Sequence, residues 1–247
     1  MTNRVLIYPD DATLAYGAGA RLLVRLHDLT STQEETHLVL TGGTVGIELL
    51  RQAALNPLVA TVDWTSVHLW WGDERFLPDG DADRNETQAR EALLDHLVAT
   101  GLLPAANIHE MPALNNEVPT PERAAELYAA ELAKFPGLPA FDLVLFGMGP
   151  DGHIASLFPD HEGLEAQGDV VPVHDSPKPP PLRVSLSATA VPQAKEIWVI
   201  AAGAGKAPAV ARALSGSSSV SETPAGLANQ ATNTVWLLDA AAAAPSE

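Results

Sequence analysis

Asp151 and His153 stand two residues apart in the stretch 141–159 (FDLVLFGMGPDGHIASLFP), with Gly147, Gly149, Pro150 and Gly152 around them. A carboxylate and an imidazole on a backbone nearly stripped of side chains suit acid–base chemistry on a ligand that must come close. Three other places carry comparable chemistry. Gly42-Gly43-Thr44 offers free backbone N–H groups to an anion if a helix starts there. Asp73, Glu74 and Arg75 pair two acids with a counter-ion at a strand end. Lys206, one residue past Gly205 at a helix start, and Arg183, in a strand after a proline loop, are cations that a bound anion would explain. Each cluster also has a bland reading, from a tight glycine turn with a surface histidine to a solvated charge cluster or lysine.

Two chemistries are set aside. Gly147, Gly149 and Gly152 fit G-x-G-x-x-G, but Pro159 cuts the following segment short and Asp169 precedes the apolar run 170–173 instead of ending it, so a dinucleotide site is rejected. The chain has no cysteine and no H-E-x-x-H arrangement, so neither a metal nor a cofactor is expected.

The elements that must position these residues read as alternating strands and helices. Short apolar runs predict strands over 4–8, 37–41, 66–71, 143–146, 170–173, 182–187, 196–201 and 234–238, with a short extended piece at 107–111. Helical spacing predicts helices over roughly 11–29, 45–54, 85–100, 120–134 and 206–214. The pattern implies an α/β fold, an open and mainly parallel sheet with helices on both faces, in a single domain over 1–247. Four strands run directly into Gly42-Gly43-Thr44, Gly72-Asp73-Glu74-Arg75, the Gly-Asp-Gly-His turn and Gly203-Ala204-Gly205-Lys206. Parallel strands point one way, so these ends gather along one edge, where ligands of open α/β sheets bind.

Composition narrows the partner. Hydrophobic residues make up 46% and charged residues 18% of 247, the balance of a globular chain. A net charge of −17, from 14 basic against 31 acidic residues, argues against nucleic acid and anionic membranes. The N-terminal stretch lacks a signal-peptide core and no run is long enough to span a bilayer, so a cytoplasmic location is expected. A monomer or small homo-oligomer is expected, and a small anionic ligand is compatible with the charge because the few cations near it would act individually.

With those residues in view, the sequence resembles 6-phosphogluconolactonases, within the group that includes glucosamine-6-phosphate deaminases and isomerases. The matching blocks are LTGGT (40–44), LWWGDERFLP (69–78) with Asn85, the stretch 141–159, Arg183 with its strand, and 203–206. The family loop usually reads S-G-G-S-T-P, where this chain has Thr41, Thr44, Val45 and Gly46, and Arg84 stands where a serine commonly precedes the asparagine. The resemblance implies metal-independent hydrolysis of 6-phospho-D-glucono-1,5-lactone in the oxidative pentose phosphate pathway. It implies His153 as general base, Asp151 as its orienting partner, and Arg75 and Asp73 near the reacting carbonyl. Gly42, Gly43, Thr44, Asn85, Arg183 and Lys206 would hold the phosphosugar. The alternatives are an isomerase or deaminase of the same fold and a non-catalytic sugar-phosphate-binding domain. Residues 154–158 (IASLF) lack the extra acid that the first would need, and the second would need a DNA-binding segment.

Overall fold

The computed structural model describes residues 2–245. In chain order its strands are β1 (Thr2–Tyr8), β2 (Thr36–Leu40), β3 (Val67–Trp71), β4 (Asp73–Arg75), β5 (Leu143–Gly147), β6 (Val170–Val173), β7 (Arg183–Leu186), β8 (Glu196–Ala201) and β9 (Asn233–Asp239). The helices are α1 (Asp11–Thr30), α2 (Thr44–Leu55), α3 (Asn85–Ala89), α4 (Asp95–Ala99), α5 (Pro121–Leu132) and α6 (Ala207–Ser215). Among the described residues, six strands form one sheet in the order β1-β9-β8-β5-β2-β3, every pair parallel. The α/β architecture and the parallel sheet agree with the sequence reading.

Local rules explain the elements. The Asp10 side chain accepts from Thr13 N at 2.7 Å and starts α1, whose Leu14, Leu22, Leu23 and Leu26 are buried along one stripe. β8 is buried at every position and β5 at all but its final glycine, as strands covered on both faces must be. Right-handed crossovers carry α1 and α2 one way along the sheet and α6 the other, which places them on opposite faces. No helix of the described residues is long and apolar enough to cross a membrane.

Three details differ from the sequence reading. Gly72 separates β3 from β4, so Asp73-Glu74-Arg75 is not the end of β3: it is a strand of a second, antiparallel sheet, β4-β7-β6. The expected helix over 85–100 is interrupted by a π turn, Arg90–Leu94, between α3 and α4. Residues 107–111 are extended only as far as one bridge between Ile108 and Leu69.

The order of the large sheet fixes where a ligand can sit. From β2 the chain moves outward to β3, and from β5 it moves the opposite way to β8. The carboxyl ends of β2 and β5 therefore flank the point where the connections diverge, the place such sheets open a crevice. Gly147 N donates to Thr41 Oγ1 at 3.1 Å and ties the two ends together.

Candidate active site

A cleft of about 470 Å³ opens at that point. Its lining includes Arg75, Lys178, Arg183 and Lys206, four of the 14 cationic side chains in a chain of net charge −17. Such a concentration against the average marks an anion site.

At one wall the turn after β5 presents Asp151 and His153. Gly149 N donates to His153 O at 2.9 Å and Gly152 N to Gly149 O at 3.0 Å, which folds the turn back on itself. Gly149 is required by close approach, because a Cβ there would lie 2.0 Å from His153 Nδ1 and 2.3 Å from Asp151 Oδ1. His153 Nδ1 and Asp151 Oδ1 are 2.5 Å apart, and the ring rests on Phe158 at 4.7 Å between centroids. Burial alone would raise the Asp151 carboxyl. The hydrogen bond and charge of His153, with Lys178 beyond, outweigh it and hold the group well below the usual carboxylate range. An ionised Asp151 fixes the Nδ1–H tautomer and leaves Nε2 with its lone pair.

Lys178 Nζ lies 3.2 Å from His153 Nδ1 and 3.6 Å from Asp151 Oδ1. Nδ1 cannot donate to Asp151 and accept from Lys178 at once, since a neutral ring carries one proton and an ammonium only donates. With Asp151 ionised the Nδ1–H···Oδ1 bond holds, and Lys178 sits beside the pair through the charge of the carboxylate.

The opposite wall is the second sheet. Strand alternation in β4 turns Asp73 and Arg75 into the cleft and Glu74 away from it. The expected Asp73–Glu74 carboxylate pair is therefore not one site. Glu74 is buried and accepts from Asn85 N at 2.7 Å and Glu86 N at 2.9 Å, pinning the start of α3. Burial pushes its carboxyl up to about 7, against the pull of Arg84 and those amides. Asp73 Oδ2 accepts from Ser156 Oγ at 2.7 Å and lies 3.9 Å from Arg183 Nη1, which makes Asp73 a fixed part of the wall. Arg75 donates to Asp83 O at 2.5 Å, and its buried Nε has no partner. Arg75 and Arg183 stand directly opposite across β4 and β7, a like-charge pairing that the Asp73 carboxylate, 3.9 Å from Arg183, partly offsets.

The floor is the β2–α2 junction. Gly43 precedes α2 with no side-chain cap, so the first amides of the helix are free to meet an anion. Gly42 is bare because Asn85 Oδ1 occupies the space, 1.8 Å from where a Cβ would stand; Asn85 itself is anchored by Nδ2 donating to Asp73 O at 2.9 Å. The unusual Thr41 and Gly46 explain each other: a Cβ on Gly46 would lie 2.8 Å from Thr41 Cγ2, so the added methyl takes the place of a larger residue. Arg84, the other departure, is buried and donates to Leu77 O and Met111 O at 3.2 and 2.8 Å, a brace for the loop before α3. Lys206, just before α6, also lines the cleft, its ammonium donating to Met148 O. Burial first, then the charge of Lys178, push the Lys206 amine below its ordinary value.

One cleft thus gathers Gly42, Gly43, Thr44, Asp73, Arg75, Asn85, His153, Arg183 and Lys206, and Asp151 joins it through His153. Lys178 is the residue the sequence reading passes over, because 177–181 reads as a stiff proline loop. A signal was there: it is one of only four lysines, set in S-P-K-P-P-P where no helix or solvated face calls for one.

The family described as glucosamine-6-phosphate isomerases/6-phosphogluconolactonase matches residues 9–236. A Streptomyces coelicolor protein named 6-phosphogluconolactonase is 44% identical over 250 residues, covering 98% of this chain and 94% of the relative. The solved 6-phosphogluconolactonase of Trypanosoma brucei superposes with a TM-score of 0.81 at 26% identity, covering 98% of both chains. A monomeric glucosamine-6-phosphate deaminase superposes nearly as well, with a TM-score of 0.79 at 17% identity over 97% of this chain and 98% of its own. That last likeness concerns the fold alone, so activity has to be read from the cleft and the closer sequences.

Proposed function

The chain belongs to the family of glucosamine-6-phosphate isomerases and 6-phosphogluconolactonases, and on that premise we propose how its cleft works. It hydrolyses 6-phospho-D-glucono-1,5-lactone to 6-phospho-D-gluconate, a cytoplasmic reaction of carbohydrate metabolism. The observation that carries the mechanism is the 2.5 Å Asp151–His153 pair opening into a cleft that also holds Arg75, Lys178, Arg183 and Lys206.

The 6-phosphate takes the free amides of the α2 start, with the Thr44 hydroxyl and the Lys206 ammonium completing the cradle. Anchoring that end brings the lactone carbonyl to the His153 wall, so binding energy at the phosphate sets the geometry of the reacting atoms. His153 Nε2 removes a proton from water as the water oxygen bonds to C1. The carbonyl electrons move onto oxygen, where cationic side chains of the cleft stabilise the oxyanion. On collapse the C1–ring-oxygen bond breaks and the imidazolium returns its proton to that oxygen, which becomes the C5 hydroxyl. The new carboxylic acid loses its proton to solvent. Asp151 stays ionised and holds the ring through both transfers. No step calls for an acid in 154–158, where ring opening with proton shuttling would need one.

The test is an assay of the purified protein with freshly generated lactone, alongside glucosamine 6-phosphate, with chelator present. Hydrolysis well above the spontaneous rate, with no release of ammonia from the amino sugar, is expected. Turnover of the amino sugar alone would replace this reading with the deaminase one.

A further inference from the structure

Arg183 lines the cleft, and the simplest assignment would put it on the substrate phosphate. Its hydrogen bonds run elsewhere. Nε donates to Pro180 O at 3.2 Å, and Nη2 donates to Lys178 O at 3.1 Å and to Pro179 O at 3.0 Å. Three of the five N–H groups of a guanidinium are therefore spent on consecutive carbonyls of one loop. The group is buried, lies over the Phe158 ring at 5.7 Å, and faces Asp73 at 3.9 Å with the remaining edge. Prolines at 177, 179, 180 and 181 cannot donate backbone bonds to hold this loop, so the fork of Arg183 does so. Ser176 Oγ, which donates to Lys178 O at 2.8 Å, is a second tie on the same carbonyl.

The residue so positioned is Lys178. Its ammonium reaches the Asp151–His153 pair, whereas the other cations of the cleft are tethered to backbone: Lys206 to Met148 O, Arg75 to Asp83 O and Arg183 to the proline loop. A four-carbon stem with only side-chain partners is free to swing from Asp151 to charge that develops next to His153. We propose that Lys178 is a further catalytic residue, the cation on the lactone oxyanion, and that Arg183 is a positioning residue acting through it and not a phosphate ligand.

This inference rests on the lactonase reading, so wild-type hydrolysis is measured first; its absence would sink that reading and not this one. Lys178→Met is expected to lower kcat about 10²-fold, the cost of losing one oxyanion donor, with KM changing less than about threefold. Binding of inorganic phosphate, which has no carboxylate to meet the same cation, followed by calorimetry, stays unchanged. Arg183→Lys keeps the charge but loses the fork and is expected to lower kcat about tenfold in the wild-type background. In the Lys178→Met background the same change costs less than about twofold, because its effect is already lost. A kcat for Lys178→Met within about twofold of wild type overturns the catalytic role. Weakened binding of inorganic phosphate in Lys178→Met or Arg183→Lys returns that residue to the phosphate, and equal losses from Arg183→Lys in both backgrounds overturn the positioning role. Urea midpoints of all three variants accompany the kinetics, and a variant with a lowered midpoint is assayed at a temperature where it is folded.

Discussion

The two ends of the parallel sheet both carry histidines beside acids, and they have opposite fates. At the carboxyl end His153 meets Asp151 at 2.5 Å in an open cleft. At the amino end His37 and His68 face each other across β2 and β3, with ring centroids 5.2 Å apart. His68 Nδ1 meets His109 Nε2 at 2.9 Å, His109 Nδ1 lies 3.2 Å from Glu131 Oε1, and Trp70 Nε1 donates to His37 Nδ1 at 3.1 Å. His109 also stacks on Trp70 at 3.9 Å and meets the edge of Phe135. A histidine–carboxylate contact therefore does not by itself make a base. At the amino end Trp70 takes one nitrogen of His37, His109 takes one of His68, both nitrogens of His109 are engaged by His68 and Glu131, and none of the three rings lines the cationic cleft. At the carboxyl end one nitrogen is held by a carboxylate and the ring lines a cleft that holds four cations.

That contrast predicts a ranked set of effects. Removing the open nitrogen should do most: His153→Ala is expected to lower kcat by about 10²–10⁴-fold while the urea midpoint stays near wild type. Native-rate hydrolysis of fresh lactone by that variant would show the base lies elsewhere. Next comes displacing the pair without touching its atoms. Gly149→Ala puts a methyl where His153 Nδ1 and Asp151 Oδ1 now sit, so a shift of order 1 Å should lower kcat about 10²-fold. If kcat holds in Gly149→Ala, the geometry of the turn is not what makes the two ends differ. Lys206→Ala, at the phosphate end, should leave kcat largely intact and raise KM by one to two decades, since a charge-assisted bond contributes about 1.5–3 kcal/mol. An unchanged KM there removes Lys206 from the cradle.

The carboxyl end was largely legible in the sequence, and the reason is physical. β2, β3, β5 and β8 are short apolar runs that each end in a glycine or reach one within two residues, and parallel strands must bring such ends to one edge. What could not be read was anything set by antiparallel pairing at a distance. The single residue Gly72 starts a second sheet, and that sheet sends Asp73 and Glu74 to opposite sides. Lys178 was invisible for a related reason: its place beside His153 depends on Arg183 gripping three carbonyls, a contact no local pattern encodes. The amino end was illegible as a site because His37, His68 and His109 lie 31 and 41 positions apart along the chain and meet only through strand register and the Ile108 bridge.

The smallest effect is expected at that amino end, and it should appear in stability against pH. Burial above all, then the charge of His68, lowers the His37 imidazole to about 4, although Asp142 and Glu35 pull the other way. Between about 6.5 and 4 the unfolded chain then binds a proton that the folded one refuses, so the His37 contribution is complete above that range and lost as pH falls through it. Glu74 has the opposite sign. Its carboxyl, up at about 7 against an ordinary 4.5, weakens the fold as pH rises between those values. The two partly cancel in the wild type, and a single pH profile would hide both. His37→Gln separates them, because the amide still accepts from Trp70 Nε1 but does not titrate, and Glu74 is common to both proteins. Urea midpoints should favour the wild type at pH 7 by no more than about 1–2 kcal/mol, and the gap should shrink or reverse near pH 4.5. Parallel profiles would show that His37 exchanges no proton on folding. kcat/KM at pH 7 should remain within about twofold; a larger loss would mean that the two ends of the sheet act on each other after all.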